Sequence, residues 1–116
     1  MTDTKIFHNP RCSKSRQTLS LLEDQGETLQ IVEYLDNPPS IDELTFIINE
    51  LDIQPRDLMR KGEAEYKELN LSDEALSKAE LIAAMQANPR LIERPIVIKN
   101  GKVAVGRPPE NILKIL

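Results

Sequence analysis

The sequence predicts an α/β fold: a four-stranded mixed sheet flanked by helices, with a helical insert between a βαβ part and a ββα part. Three observations predict it. An apolar run at Thr4-Lys5-Ile6-Phe7 leads through a tight loop into leucines at helical spacing, and a second strand-to-helix unit follows from Leu29 to about Leu51. Near the C-terminal end, Asn100-Gly101 separates two β-branched runs. Two βα units in succession imply parallel strands joined by a right-handed crossover, whereas Asn-Gly implies an antiparallel hairpin, so one sheet holds both pairings.

The first strand runs into His8-Asn9-Pro10-Arg11-Cys12-Ser13-Lys14-Ser15-Arg16, a loop at a helix start. Pro10 suits that place because its missing N–H would be unpaired there anyway. The first helix carries Gln17-Thr18-Leu19-Ser20-Leu21-Leu22 and stops at Gln25-Gly26-Glu27. Leu29-Gln30-Ile31-Val32-Glu33-Tyr34-Leu35 reads as a strand apolar enough to be buried, ended by Asp36-Asn37-Pro38-Pro39. Ser40-Ile41-Asp42-Glu43 is a capping box that opens a helix to about Leu51. Pro55 to Arg60 reads as a short helix ending near Lys61-Gly62, and Glu63 to Leu69 as another short turn. Ser77-Lys78-Ala79-Glu80 is a second capping box, opening a helix that Asn88-Pro89 stops. The hairpin strands are Pro95 to Lys99 and Lys102 to Val105; after Gly106-Arg107-Pro108-Pro109, Glu110 to Leu116 reads as a closing helix. This order is that of a thioredoxin-like fold. No repeat or low-complexity linker interrupts it, so residues 1–116 read as a single domain.

Composition narrows the function classes. The 40% hydrophobic and 29% charged residues are ordinary for a globular domain, and a net charge of −4 argues against a nucleic-acid surface. No apolar run approaches a membrane span, and Met1-Thr2-Asp3-Thr4-Lys5 lacks a signal-peptide core, so the expected location is the cytoplasm. The single cysteine cannot close an internal disulfide, which suits a reducing compartment. If it is modified during a reaction, the resolving thiol must come from another molecule.

That cysteine, Cys12, is the candidate nucleophile. At a strand-to-helix joint it faces free backbone N–H groups and the positive end of the helix dipole, both of which favour thiolate over thiol. Arg16, four residues on, shares its face if both are helical, and Arg11, Lys14 and Ser15 add cations and a hydroxyl, which makes a pocket for an anion. His8, the only histidine, stands where a protonated imidazole lowers the thiol pKa further. The plainer reading makes Cys12 a small buried hydrophobe among solvated cations; the basic surroundings and the joint favour the nucleophile. A zinc site is not expected, because a structural site wants four ligands and only His8 and Cys12 exist. In such a sheet the turn into the hairpin lies beside the cysteine loop. Arg94-Pro95 is therefore where a cis peptide bond is expected, with Arg94 and Arg107 positioned at the two ends of the hairpin.

Together these residues resemble the arsenate reductase (ArsC) family that works with glutaredoxin. The resemblance is carried by the His8 to Arg16 loop, the Tyr34 to Ser40 turn, Leu58-Met59-Arg60-Lys61, the stretch from Pro89 to Val97, and Gly106-Arg107-Pro108. It implies that Cys12 attacks arsenate and that Arg60, Arg94 and Arg107 hold the oxyanion. It further implies that His8 helps lower the cysteine pKa and that the Ser15 hydroxyl bonds the thiolate. Glutathione as co-substrate and glutaredoxin as partner supply the electrons. No bound cofactor, nucleic acid or membrane is expected, and the chain is expected to be a monomer. Two other readings stand beside this one. Cys12-Ser13-Lys14-Ser15 is also a monothiol pattern, in which the arginines would read the carboxylates of glutathione. The fold also serves a non-catalytic regulator, although the absent second cysteine removes a disulfide switch.

Overall fold

The computed structural model describes residues 3–116; Met1 and Thr2, the start of the stretch read for a signal peptide, lie outside them. Residues 3–37 with 94–116 form one compact unit and residues 38–93 a second.

The first unit holds the sheet. Strands β1 (Thr4–His8), β2 (Leu29–Glu33), β3 (Ile96–Lys99) and β4 (Lys102–Val105) lie in the order β2-β1-β3-β4. β1 pairs parallel to β2 and antiparallel to β3, and β3 pairs antiparallel to β4, the mixed sheet of a thioredoxin-like fold. Asn100 and Gly101 both have positive φ, 51° and 77°, as a two-residue type I′ turn requires. The register sets Ile31, Ile6, Val97 and Ala104 in one row across the sheet. Ile6, Val97 and Ala104 are buried in one cluster with Leu22 of helix α1 (Ser13–Asp24) and Ile112. Ile31 is 50% exposed. The expectation that β2 is buried is thus corrected: it is an edge strand, and an apolar run cannot tell whether both its faces are covered. β2 also ends early, because the Glu33 carbonyl accepts from the Asp36 and Asn37 N–H groups.

Two further boundaries differ from the sequence reading. Helix α1 begins at Ser13, one turn before the leucine pattern, with Cys12 as its N-cap. The closing segment, Pro109–Ile115, is a 3-10 helix, in which residues three apart eclipse. That geometry aligns Pro109 and Ile112, both buried, with Ile115, which packs against the core cluster.

In the second unit, helix α2 (Ile41–Leu51) starts where the Ser40 hydroxyl accepts from the Glu43 N–H at 3.0 Å. A short 3-10 turn at Pro55–Leu58 and helix α3 (Ala64–Glu68) follow. Helix α4 (Lys78–Ala87) begins with both halves of the Ser77–Glu80 capping box in place. α2 buries Leu44, Ile47 and Ile48 and packs on α4, which buries Leu81, Ile82 and Met85. No helix among the described residues is long and apolar enough to cross a membrane.

One polar clasp closes the end of the sheet at which β1 begins. Glu27, in the loop before β2, pairs with Lys99 of β3 at 2.7 Å and accepts from the Thr4 hydroxyl at 2.5 Å. The hydrogen bonds from Lys99 and Thr4 hold the Glu27 carboxyl below its ordinary pKa. A depressed folded-state pKa contributes stability that is present above the unfolded value and lost as the pH falls through the folded one. Urea unfolding between neutral pH and pH 3 should therefore show stability falling below about pH 4.3. Glu27→Gln should be less stable at neutral pH and show a flatter acid limb; an acid limb as steep as the wild type's would remove Glu27 as its source.

Candidate active site

The loop between β1 and α1 is fixed by its own hydrogen bonds. The Asn9 carbonyl accepts from the Cys12 N–H at 3.0 Å, its side-chain oxygen accepts from the Arg11 N–H at 3.0 Å, and its own N–H donates to Ser15 Oγ at 2.9 Å. Cys12 then takes an extended conformation, φ −93° and ψ 124°, and its carbonyl accepts the first helical bond, from the Arg16 N–H. An N-cap side chain is where a helix's unpaired N–H groups converge. Cys12 holds that position; its sulfur makes no capping hydrogen bond, and the nearby N–H groups act on it through their charge distribution.

Burial, at 9% exposure, pushes the Cys12 thiol up. The Ser15 N–H, the Arg94 charge, the Lys14 N–H and the Arg107 charge pull the other way, and the thiol ends below its ordinary value. Arg107 reaches the sulfur: Nη2 lies 3.6 Å from Sγ while Nε donates to the Arg94 carbonyl at 2.8 Å. The two guanidinium groups approach the sulfur from residues more than eighty positions away in sequence. The Arg94–Pro95 bond that leads into β3 is cis, and so is Arg107–Pro108.

Three of the residues named from sequence work differently from the expectation. His8 is buried, and its Nδ1 shares a 2.6 Å hydrogen bond with Ser15 Oγ. Burial lowers its pKa, Glu33 opposes that, and the Arg16 charge adds to it, with a net fall. The shift runs against the protonated imidazole that the sequence reading invoked to lower the thiol pKa. Ser15 is fully buried, and its hydroxyl is engaged by His8 and Asn9; its backbone N–H, not its side chain, acts on the sulfur. Arg16 donates from Nη1 to the Pro10 carbonyl at 2.9 Å, bracing the loop. The face-sharing rule fails for Cys12 and Arg16 because an extended N-cap lies outside the helical path that the rule assumes.

Asn9 and Gly106 were missed by sequence reasoning. Asn before proline in a loop is a known signal for side-chain-to-backbone turns and would have found the first. The second lies in the Gly106-Arg107-Pro108 stretch, where sequence reasoning assigned a role to the arginine and none to the glycine. Arg60, in the second unit, pairs with Glu63 at 2.8 Å and donates its N–H to the Leu91 carbonyl at 2.7 Å. Its work on an oxyanion stays an expectation drawn from the resemblance. Beside the cysteine loop lies a cleft of about 320 Å³ lined by His8, Asn9, Pro10, Arg11, Glu33, Leu35 and Asp36. Among the described residues no group of three His, Cys, Asp or Glu side chains is placed to hold a metal ion.

Comparison with known proteins adds to this geometry. Residues 7–115 match the model of the ArsC family. An arsenate reductase of Neisseria meningitidis serogroup A is 51% identical over 117 aligned positions, covering all of both chains. A protein of Escherichia coli K12 named "Uncharacterized protein YfgD" is 51% identical over 113 positions, 97% of this chain and 95% of that one. The solved structure of an arsenate reductase from Vibrio cholerae superposes with a TM-score of 0.95 at 51% identity, covering 99% of this chain and 98% of that one.

The site makes two measurable statements. The pH dependence of iodoacetamide alkylation should give a Cys12 midpoint below that of a free thiol, and Arg107→Ala should raise it; no change would make the 3.6 Å contact electrostatically idle. The ring protons of His8 should titrate by NMR with a midpoint below about 6.5, the free imidazole value. A midpoint above it would restore the imidazolium.

Proposed function

Because the chain belongs to the ArsC family, we propose that it is an arsenate reductase that uses glutathione as co-substrate and glutaredoxin as electron donor, working as a monomer in the cytoplasm without a bound cofactor. The observation that carries the reading is Arg107 Nη2 3.6 Å from the sulfur of Cys12, which stands at the start of α1. A thiolate that close to a planar cation is placed to meet a tetrahedral anion.

The chemistry follows from that placement. Arg94, Arg107 and the start of α1 neutralise an oxyanion's charge as the thiolate approaches arsenic. The sulfur displaces one oxygen, which leaves as water, and arsenic stays As(V). A glutathione thiolate adds a second S–As bond with loss of another water. The glutaredoxin thiolate then attacks the glutathione sulfur: an S–S bond forms, the electrons of the S–As bond pass to arsenic, and As(V) becomes As(III). Water cleaves the remaining bond to Cys12, releasing arsenite and the thiol. No second cysteine is needed, which matches a chain that has one.

Arsenite formation by the purified protein with arsenate, glutathione and glutaredoxin tests this. Cys12→Ser should abolish turnover, since a serine hydroxyl without a base is a poor nucleophile at neutral pH. Arg94→Ala should lower kcat/KM by about 2–4 kcal/mol of transition-state stabilisation, the scale on which one oxyanion donor acts. No arsenite, with Cys12-dependent reduction of glutathione mixed disulfides instead, would replace this reading by the monothiol oxidoreductase.

A further inference from the structure

We propose that Gly106 and Thr18 are positioning residues that together set the spacing between the Cys12 thiolate and the groups that stabilise it. Gly106 is buried, and it is needed for space rather than for a left-handed backbone: its φ is not positive. A Cβ there would overlap Thr18 Oγ1 and stand 2.8 Å from Pro95 Cγ and 3.0 Å from Thr18 Cγ2. Neither neighbour yields easily. Thr18 is fully buried, and its hydroxyl is pinned to the Lys14 carbonyl at 2.8 Å. Pro95 is a ring in a buried position, and its carbonyl accepts the Gly106 N–H at 2.9 Å.

The three partners of this contact each lead to one source of thiolate stabilisation. Thr18 lies one turn beyond Lys14 on α1, whose first N–H groups act on the sulfur. Pro95 follows Arg94, and Gly106 precedes Arg107. One close approach therefore fixes the helix start, the Arg94 carbonyl that holds Arg107 Nε, and the guanidinium 3.6 Å from Sγ. A methyl at 106 pushes the Arg107 loop away from α1, and the separation that grows is the one over which the cation acts on the sulfur.

The inference rests on Cys12 as the working thiolate but not on arsenate as its substrate, so the two can fail separately. In the full chain, Gly106→Ala should raise the Cys12 pKa by about one unit, read as the same shift in the midpoint of the pH–alkylation profile. It should also raise the KM for arsenate more than it lowers kcat. Measured where the protein is fully folded, a purely structural role would lower Tm and leave the thiol pKa in place. Adding Thr18→Ala removes two of the three crowded atoms and should return the pKa toward the wild-type value. Should Gly106→Ala not fold, Thr18→Ala alone opens the same contact from the other side and should shift the midpoint of the pH–alkylation profile up by about half a unit. A wild-type thiol pKa in folded Gly106→Ala, no recovery in the double variant, or a wild-type pKa in Thr18→Ala when it is the only folded one would each overturn the proposal. Shifted alkylation with no arsenite formed by any variant would sink the substrate reading and leave this one standing.

Discussion

Keeping a negative charge on a nearly buried sulfur is the demand around which this structure is arranged. Taking a thiolate out of water is costly, and burial by itself would keep Cys12 protonated. The compensation is delivered from two sources of different character. Backbone N–H groups of Lys14 and Ser15 are fixed dipoles, placed as soon as α1 forms. Arg94 and Arg107 bring full charges, and they arrive only when the C-terminal hairpin has added itself to β1. The site is therefore a product of the finished sheet.

The support beneath the sulfur is a set of hydrogen bonds. His8, Ser15 and Asn9 form a connected set of hydrogen bonds under the loop, each satisfying a group that burial would otherwise leave costly. Burial depresses the His8 pKa, and Glu33 opposes that only in part, so the ring's main work here is its hydrogen bond to Ser15. Arg16 acts in the same spirit. Its charge is spent on a loop carbonyl, which holds Pro10 and Arg11 in place before Cys12.

Much of the fold was legible because local chemistry dictates it. Asn100-Gly101 demanded a hairpin, Ser40 and Ser77 marked helix starts, and Asn88-Pro89 marked a stop; the structure agrees at each. What local chemistry does not encode was not legible. Whether Ile31 lies under cover depends on which strand ends up at the edge, and the 3-10 form of Pro109–Ile115 depends on what those residues pack against. In the site, Cys12 could be read from its place at a helix start, yet the cation four residues away turned out to brace the loop while one ninety-five away reaches the sulfur. Sequence spacing measures proximity along a regular helix, and Cys12 stands just outside one.

The clasp of Glu27, Thr4 and Lys99 has a bearing on where this molecule is sensitive to acid. Thr4 opens β1 and His8 closes it, so the clasp and the cysteine loop occupy opposite poles of one five-residue strand. Protonating Glu27 loosens the pole where the chain enters the sheet; protonating Cys12 disarms the pole where chemistry happens. Reactivity and structural integrity are thus governed by separate titrations. Loss of the nucleophile and loss of the clasp are therefore separate events, at opposite ends of one strand.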